Sequence, residues 1–247
     1  MLAILSAVRP EAIFHLAAHA LAAHESRQVE SLVQSNILFG TQLLESAVKS
    51  GVRYFVNTGT FWQHYRSEAY NPVSLYAAMK QAFEAILVYY QNAHSLRCTT
   101  LELTDTYGPC DHRKKLFHQL KQAQTSGVPL LMTPGMQCID LVYIDDVVDG
   151  FLQALHLIET EERICGMNFS ISSGRNLTLR EVVSLFEAIS GAPVPIVWGG
   201  KPYRTREVMQ PCRITPLPGW TTKTTLEDGL RQMFALDKAD EHLGAKP

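Results

Sequence analysis

No glycine precedes Gly40 in this 247-residue chain. The first 39 residues therefore hold no glycine-rich turn of the kind that brings backbone amides against a phosphate. Cysteine is sparse as well. The five cysteines, Cys98, Cys110, Cys138, Cys165 and Cys212, are scattered and odd in number, and none forms a Cys-x-x-Cys pair. That pattern fits a reduced, cytoplasmic setting. No apolar run is long enough to span a bilayer, and no basic segment followed by an apolar stretch opens the chain, so neither a membrane span nor a signal peptide is expected. A net charge of −2 gives no reason to expect nucleic acid or an anionic membrane as partner. Internal repeats and low-complexity tracts are absent too.

What remains is ordinary for a globular protein: 46% hydrophobic and 19% charged residues, in a chain long enough for one or two domains. Residues 3–9 read as the end of a helix closed by Pro10. Ala12–Ala18 reads as a buried strand running into a small-residue turn. Residues 26–50 form one long helical pattern, with Val33, Ile37, Thr41, Leu44 and Val48 on one face and Gly51 just past its end. Strands follow at 52–57 and 98–104, separated by a helix over 73–93. This alternation predicts an α/β fold with a parallel sheet. Beyond Gly108-Pro109 the pattern changes. Helices are expected at 114–126, at 145–155 with an acidic first turn, from Leu177, and near 225–235; a strand is expected at 167–171. The rest reads as a smaller irregular lobe.

The chemistry is carried by Asn71-Pro72-Val73-Ser74-Leu75-Tyr76-Ala77-Ala78-Met79-Lys80. Four residues apart at a helix start, Tyr76 and Lys80 share one face, one turn apart. An ammonium beside a phenol favours the phenolate, so Lys80 is expected to lower the Tyr76 pKa. Such a pair can move a proton to or from a carbonyl or hydroxyl oxygen. Three strand ends carry small or polar residues: His15-Leu16-Ala17-Ala18, Asn57-Thr58-Gly59-Thr60, and Leu103-Thr104-Asp105-Thr106-Tyr107-Gly108-Pro109. Ligands of open α/β sheets bind beyond such carboxyl ends. A hydroxyl at Thr60 could reach the same substrate oxygen as Tyr76.

These motifs, in this order, resemble the extended short-chain dehydrogenase/reductase family, the NAD-dependent epimerases and dehydratases of nucleotide sugars. The resemblance extends through Asp140-Leu141-Val142-Tyr143-Ile144-Asp145-Asp146-Val147, Leu217-Pro218-Gly219-Trp220 and Leu226-Glu227-Asp228-Gly229. The stretch from Asn57 to Tyr65 is most similar to the branch that handles nucleotide-linked deoxysugars, including CDP-dideoxyhexoses. The resemblance implies a partial Rossmann-like, doubly wound parallel sheet over residues 1–108. Residues 109–247 would be mostly a substrate-binding lobe, with about 140–172 returning to the core. It implies Tyr76 as catalytic acid/base, Lys80 as ribose-binding and tuning residue, and Thr60 as the catalytic hydroxyl. Leu16, Ala17, Ala18 and Thr104 would line NAD or NADP together with Tyr76 and Lys80. Thr60, Asp105, Arg113 and Arg204 would contact a nucleotide-diphosphate sugar, the last two because a guanidinium suits phosphate oxygens. Asn36 resembles a family asparagine. A homodimer through the Tyr-Lys helix, by way of Ala77, Ala78, Ala82, Ala85 and Val88, is also implied.

The same resemblance implies that a glycine turn and roughly the first three strands are absent ahead of Met1. The expectation is then a truncated product or half of a split protein whose cofactor binding is impaired. The outcome would be an epimerase or 4-ketoreductase, or else a catalytically silent remnant that binds sugar nucleotide, or a partner through a bare sheet edge. Phe61-Trp62 stands where dehydratases carry an acidic pair, which favours the first two activities. His15 and His19 stand four apart, but no carboxylate or cysteine joins them, and Asp145-Asp146 suits a helix start, so no metal is expected. Trp62 and His64 are equally readable as specificity or loop packing, and Arg113-Lys114-Lys115 as phosphate contact or solvated helix start.

Overall fold

The computed structural model describes residues 1–66, 70–111 and 113–244, with side chains to Leu236. In chain order the regular elements begin with α1 (Leu2–Val8), β1 (Ala12–His15), α2 (Val29–Val33), α3 (Phe39–Lys49), β2 (Tyr54–Thr60), α4 (Leu75–His94) and β3 (Arg97–Leu103). There follow β4 (Asp105–Tyr107), α5 (Leu116–Ser126), β5 (Leu130–Met132), β6 (Cys138–Tyr143) and α6 (Ile144–Thr160). The last are β7 (Asn168–Ile171), β8 (Asn176–Thr178), α7 (Leu179–Ser190), β9 (Ile196–Trp198) and α8 (Leu226–Gly244).

The chain divides into two compact units. The first comprises Met1–Leu103, Val148–Ile171 and Cys212–Trp220. Its sheet is parallel throughout, in the order β1-β2-β3-β7. Such a sheet is covered on both faces, and β2 is buried at every position from Tyr54 to Thr60. One face packs Phe55 and Cys98 against Leu44, Phe83, Leu87 and Tyr90. On β1, Phe14 meets Phe151 of α6 edge-on at 6.1 Å. The edge of β1 away from β2 has no strand beside it among the described residues.

Local chemistry sets the helix ends. Ser74 Oγ accepts from the Ala77 amide at the start of α4, and Ser95 closes that helix in the left-handed region at φ 55°. The single helix expected over 26–50 is instead a 3₁₀ turn (Ser26–Gln28), α2, a π turn (Gln34–Leu38) and α3. The apolar period survives this insertion, which is why the sequence pattern does not show it. Where α3 begins, Gly40 lies against α4. A Cβ there would stand 2.5 Å from the Phe83 ring, itself fully buried. Gly40→Ala gains about 1 kcal/mol of helix propensity but should lose about 1–3 kcal/mol by overpacking. A lowered urea midpoint is expected; a raised one would show that the ring yields at no cost.

The second unit comprises Thr104–Val147, Ser172–Pro211 and Thr221–Pro247. It holds β4-β6-β8 and the pair β5-β9. The region expected to be irregular thus contains short strands. A capping box, Thr178 with Glu181, starts α7, and Gly191 at φ 77° ends it. Its core gathers Tyr107, Phe117, Leu120, Tyr143, Val182 and Phe186. Asp145 and Asp146 stand in the first turn of α6, and Asp146 accepts from the Thr222 hydroxyl (2.7 Å) and the Thr224 amide (2.9 Å). Among the described residues no cluster of three or more His, Cys, Asp or Glu suits a metal, and no helix is long and apolar enough to cross a membrane.

Candidate active site

Strand β2 carries Thr60 to its carboxyl end, where the residue is buried. Thr60 also caps the short turn Phe61–Gln63. Its Oγ1 accepts from the Trp62 amide at 3.4 Å, and its own amide donates to Gln63 Oε1 at 2.9 Å. The Thr60 hydroxyl hydrogen finds no acceptor among the described residues. The chain then doubles back: the Tyr65 amide donates to the Asn71 carbonyl, the Asn71 amide to the Gln63 carbonyl, and the Val73 amide to the Trp62 carbonyl, at 2.7–2.8 Å. This return delivers Ser74 and the first turn of α4.

In that turn Tyr76 and Lys80 sit one above the other. The Lys80 ammonium lies 5.9 Å from the centre of the Tyr76 ring. Burial dominates both groups. It pushes the Tyr76 phenol up to about 12 and the Lys80 ammonium down to about 8, the latter against the opposing pull of Glu84. The expected lowering of the Tyr76 pKa by Lys80 is therefore not found: in a desolvated site the loss of water outweighs a single cation at ring distance. Neither the Tyr76 hydroxyl nor the Lys80 ammonium makes a hydrogen bond to the described residues. Two preorganised donors, with Thr60 as a third, thus stand without acceptors among the described residues.

The cluster that holds Thr60 and α4 together was not legible in the sequence. Gln63, fully buried, donates from Nε2 to Glu84 Oε1 (3.0 Å) and Gln81 Oε1 (3.1 Å). Asn168 Nδ2 bridges Glu84 Oε2 (2.8 Å) and Glu102 Oε1 (3.0 Å). His64 Nε2 meets Glu102 Oε2 at 2.6 Å. Burial raises the Glu84 pKa above the usual carboxylate range, opposed by the hydrogen bonds from Gln63 and Asn168. The available signal was a lone carboxylate, Glu102, inside the expected strand 98–104, observed as β3 (Arg97–Leu103). A charge among residues of that kind needs partners to be buried.

The other expected residues fall as follows. Leu16, Ala17 and Ala18 form an exposed segment just past β1. Asn36 lies in the π turn and is buried. Its Oδ1 accepts from the His19 amide (3.1 Å) and its Nδ2 donates to the His19 carbonyl (3.0 Å), so it pins that segment. On α4, Ala77 is core; Ala82, Ala85, Val88 and Tyr89 form the exposed stripe instead.

In the second unit, Thr104 is buried just ahead of β4. Burial pushes the Asp105 carboxyl up to about 6, against the pull of Lys115 and Arg204. Arg204 is joined to Glu207 by two hydrogen bonds of 3.0 and 2.7 Å. Arg113 is mostly exposed and joined to Asp111 by two of 2.7 Å. Any anion reaching either guanidinium competes with a carboxylate already in place. Lys115, which the sequence offered only as part of a basic run, acts with Arg204 on Asp105.

The signature of the family described as "NAD dependent epimerase/dehydratase family" matches residues 1–165. A CDP-abequose synthase of Yersinia pseudotuberculosis is 27% identical over 183 residues, which cover 73% of this chain. The chain spans 62% of that relative's length. Among solved structures, a UDP-glucose 4-epimerase of Thermotoga maritima bound to UDP-glucose is similar with a TM-score of 0.83 and 25% identity, over 97% of this chain and 81% of that one. MoeE5 in complex with UDP-glucuronic acid and NAD shares the fold: TM-score 0.85, 20% identity, over 97% of this chain and 82% of that one.

Proposed function

We infer that this chain, which belongs to the NAD dependent epimerase/dehydratase family, acts on a nucleotide-diphosphate sugar with NAD or NADP, as an epimerase or a 4-ketoreductase. The observation that carries this reading is the trio of Thr60, Tyr76 and Lys80. Each is a hydrogen-bond donor held by the fold, and none has its donor function consumed by the described residues. Donors of this kind fit the hydroxyls of a ribose and of a sugar.

Lys80 would hold the nicotinamide ribose, with Leu16, Ala17, Ala18 and Thr104 along the cofactor. When bound, the cofactor supplies the acceptor and donor of hydride at a sugar carbon. The chain's part is the proton. Tyr76 exchanges it at the oxygen of that carbon, and Thr60 donates a hydrogen bond that orients the same oxygen. With a pKa of about 12, Tyr76 holds its proton at neutral pH and serves as the acid toward an oxygen gaining charge. Asp105, Arg113 and Arg204 are the proposed contacts to the sugar nucleotide; Arg204 and Arg113 would exchange Glu207 and Asp111 for diphosphate oxygens. The likeness to a CDP-abequose synthase supports the deoxysugar branch, and Phe61-Trp62 after Thr60 speaks against a dehydratase. A homodimer through α4 belongs to this reading, resting on the exposed stripe Ala82, Ala85, Val88 and Tyr89.

The test is a titration of the chain with NADH and NADPH, followed by nicotinamide fluorescence. Saturable binding that Lys80→Ala abolishes is the expected result, and a screen of nucleotide sugars follows from it. Absence of binding at millimolar cofactor overturns the reading.

A further inference from the structure

Beside α4, and unused by the chemistry above, lies one more buried titratable group. His15 ends β1 at 2% exposure. Its ring sits among Phe83 (centroids 5.0 Å apart), Phe55 (5.8 Å) and Phe39 (6.1 Å). Phe83 follows Lys80 by three residues, so the two share a face of α4. His15 thus lies on the face of α4 from which Lys80 projects. The Lys80 charge is near enough to act on it: burial first, and Lys80 second, drive the His15 pKa down to about 4. The imidazole is neutral at any ordinary pH.

Its tautomer is set by its neighbours. Asn57 Nδ2 donates to Thr100 Oγ1 at 3.1 Å. That leaves Asn57 Oδ1 as acceptor, and His15 Nδ1 stands 3.4 Å from it. The proton therefore belongs on Nδ1, and Nε2 presents a lone pair. Nε2 is fully buried and has no hydrogen-bond partner among the described residues. Lys80, 2% exposed, has none either. A fully buried acceptor without a donor costs free energy if left so. A single water between Nε2 and the Lys80 ammonium would satisfy that acceptor.

We propose that His15 is the positioning residue for Lys80: its neutral Nε2 accepts, through one ordered water, from the Lys80 ammonium and fixes where that ammonium points. The charged and titratable groups around Lys80 are then Tyr76 and Glu84 on its own helix and His15 from β1. Glu84 sustains the charge; His15 supplies direction. The consequence for cofactor affinity rests on the function proposed above, but the hydrogen bond itself does not.

The experiment is a ¹³Cε lysine NMR titration of the full chain without cofactor, with Lys80 assigned from Lys80→Met. His15→Phe keeps the aromatic packing and removes the acceptor. Its Lys80 midpoint should fall by about half a pH unit or more, and His15→Gln, which restores an acceptor, should recover most of that. An unchanged midpoint in folded His15→Phe overturns the proposal. Should that variant not fold, the unsubstituted chain still decides: two-bond ¹H–¹⁵N spectra should show His15 protonated at Nδ1 and bare at Nε2, and a proton on Nε2 overturns it. A midpoint shift in a chain that binds no nicotinamide cofactor would leave the positioning role standing and sink the proposed function alone.

Discussion

Tyr76→Phe should lower turnover of a nucleotide-diphosphate sugar by about 10²–10⁴-fold, the range for loss of a positioned acid/base. The ring stays, so its packing and the Lys80 cation above it stay. Only the hydroxyl goes. Cofactor binding, assigned mainly to Lys80, should therefore survive, and the loss should fall on kcat rather than on KM. The pH profile adds a second constraint. Lys80 carries its charge only below about pH 8. As pH rises through that value the ammonium is lost, and kcat/KM, which reports the free enzyme, should fall on the alkaline side with an apparent pKa about 8. Lys80→Arg, whose guanidinium does not titrate there, should remove that alkaline limb whatever it does to the rate. A profile flat to pH 10 in the unsubstituted chain, or full turnover in Tyr76→Phe, would sink the assignment.

The parts of this site that sequence reasoning finds are those whose spacing is local. Tyr76 and Lys80 are one helical turn apart, and Ser74 announces the helix that holds them. Thr60 ends a run of strand-forming residues. Strands of four to seven residues between helices leave a period that can be read, hence the parallel sheet. By contrast, β4, β5, β8 and β9 have three residues each, too few to show an alternation. The π turn is silent because Val33, Ile37 and Leu44 keep the helical period in the sequence straight through it. Long-range pairing is the other blind spot. His15 and Asn57 are 42 positions apart, Gln63 and Glu84 21, and Glu102 and Asn168 66. Nothing in the sequence spacing joins them; the parallel register of β1, β2, β3 and β7 joins the first and last pairs, and the return of the chain from β2 into α4 joins the second. The pKa expectation for Tyr76 failed for a related reason. Charge proximity is visible in an i,i+4 pattern, whereas burial of both groups is a property of the packed sheet.

Glu102 is where that blindness has the largest consequence for stability. Glu102→Ala should cost about 3–5 kcal/mol, as for removal of one partner from a buried pair. The carboxylate is 1% exposed as a residue, and its two oxygens serve two different elements. Oε2 holds His64, from the loop that follows Thr60; Oε1 holds Asn168 of β7, which in turn holds Glu84 of α4. Alanine leaves both donors facing a dry gap. Glu102→Gln should cost about 1–2 kcal/mol instead, because its carbonyl can still accept from Asn168 while the His64 interaction loses its charge. Against a total stability of about 5–15 kcal/mol the first value is large. Urea unfolding of the two variants, read by circular dichroism and by tryptophan fluorescence, separates them. Equal small losses would mean that water enters the gap and that the cluster does not hold the site. If the order is as expected, turnover should follow it. The network ends on Gln63, whose side chain carries the Thr60 amide, so loosening Glu102 lets the hydroxyl of Thr60 drift from the oxygen it is proposed to orient.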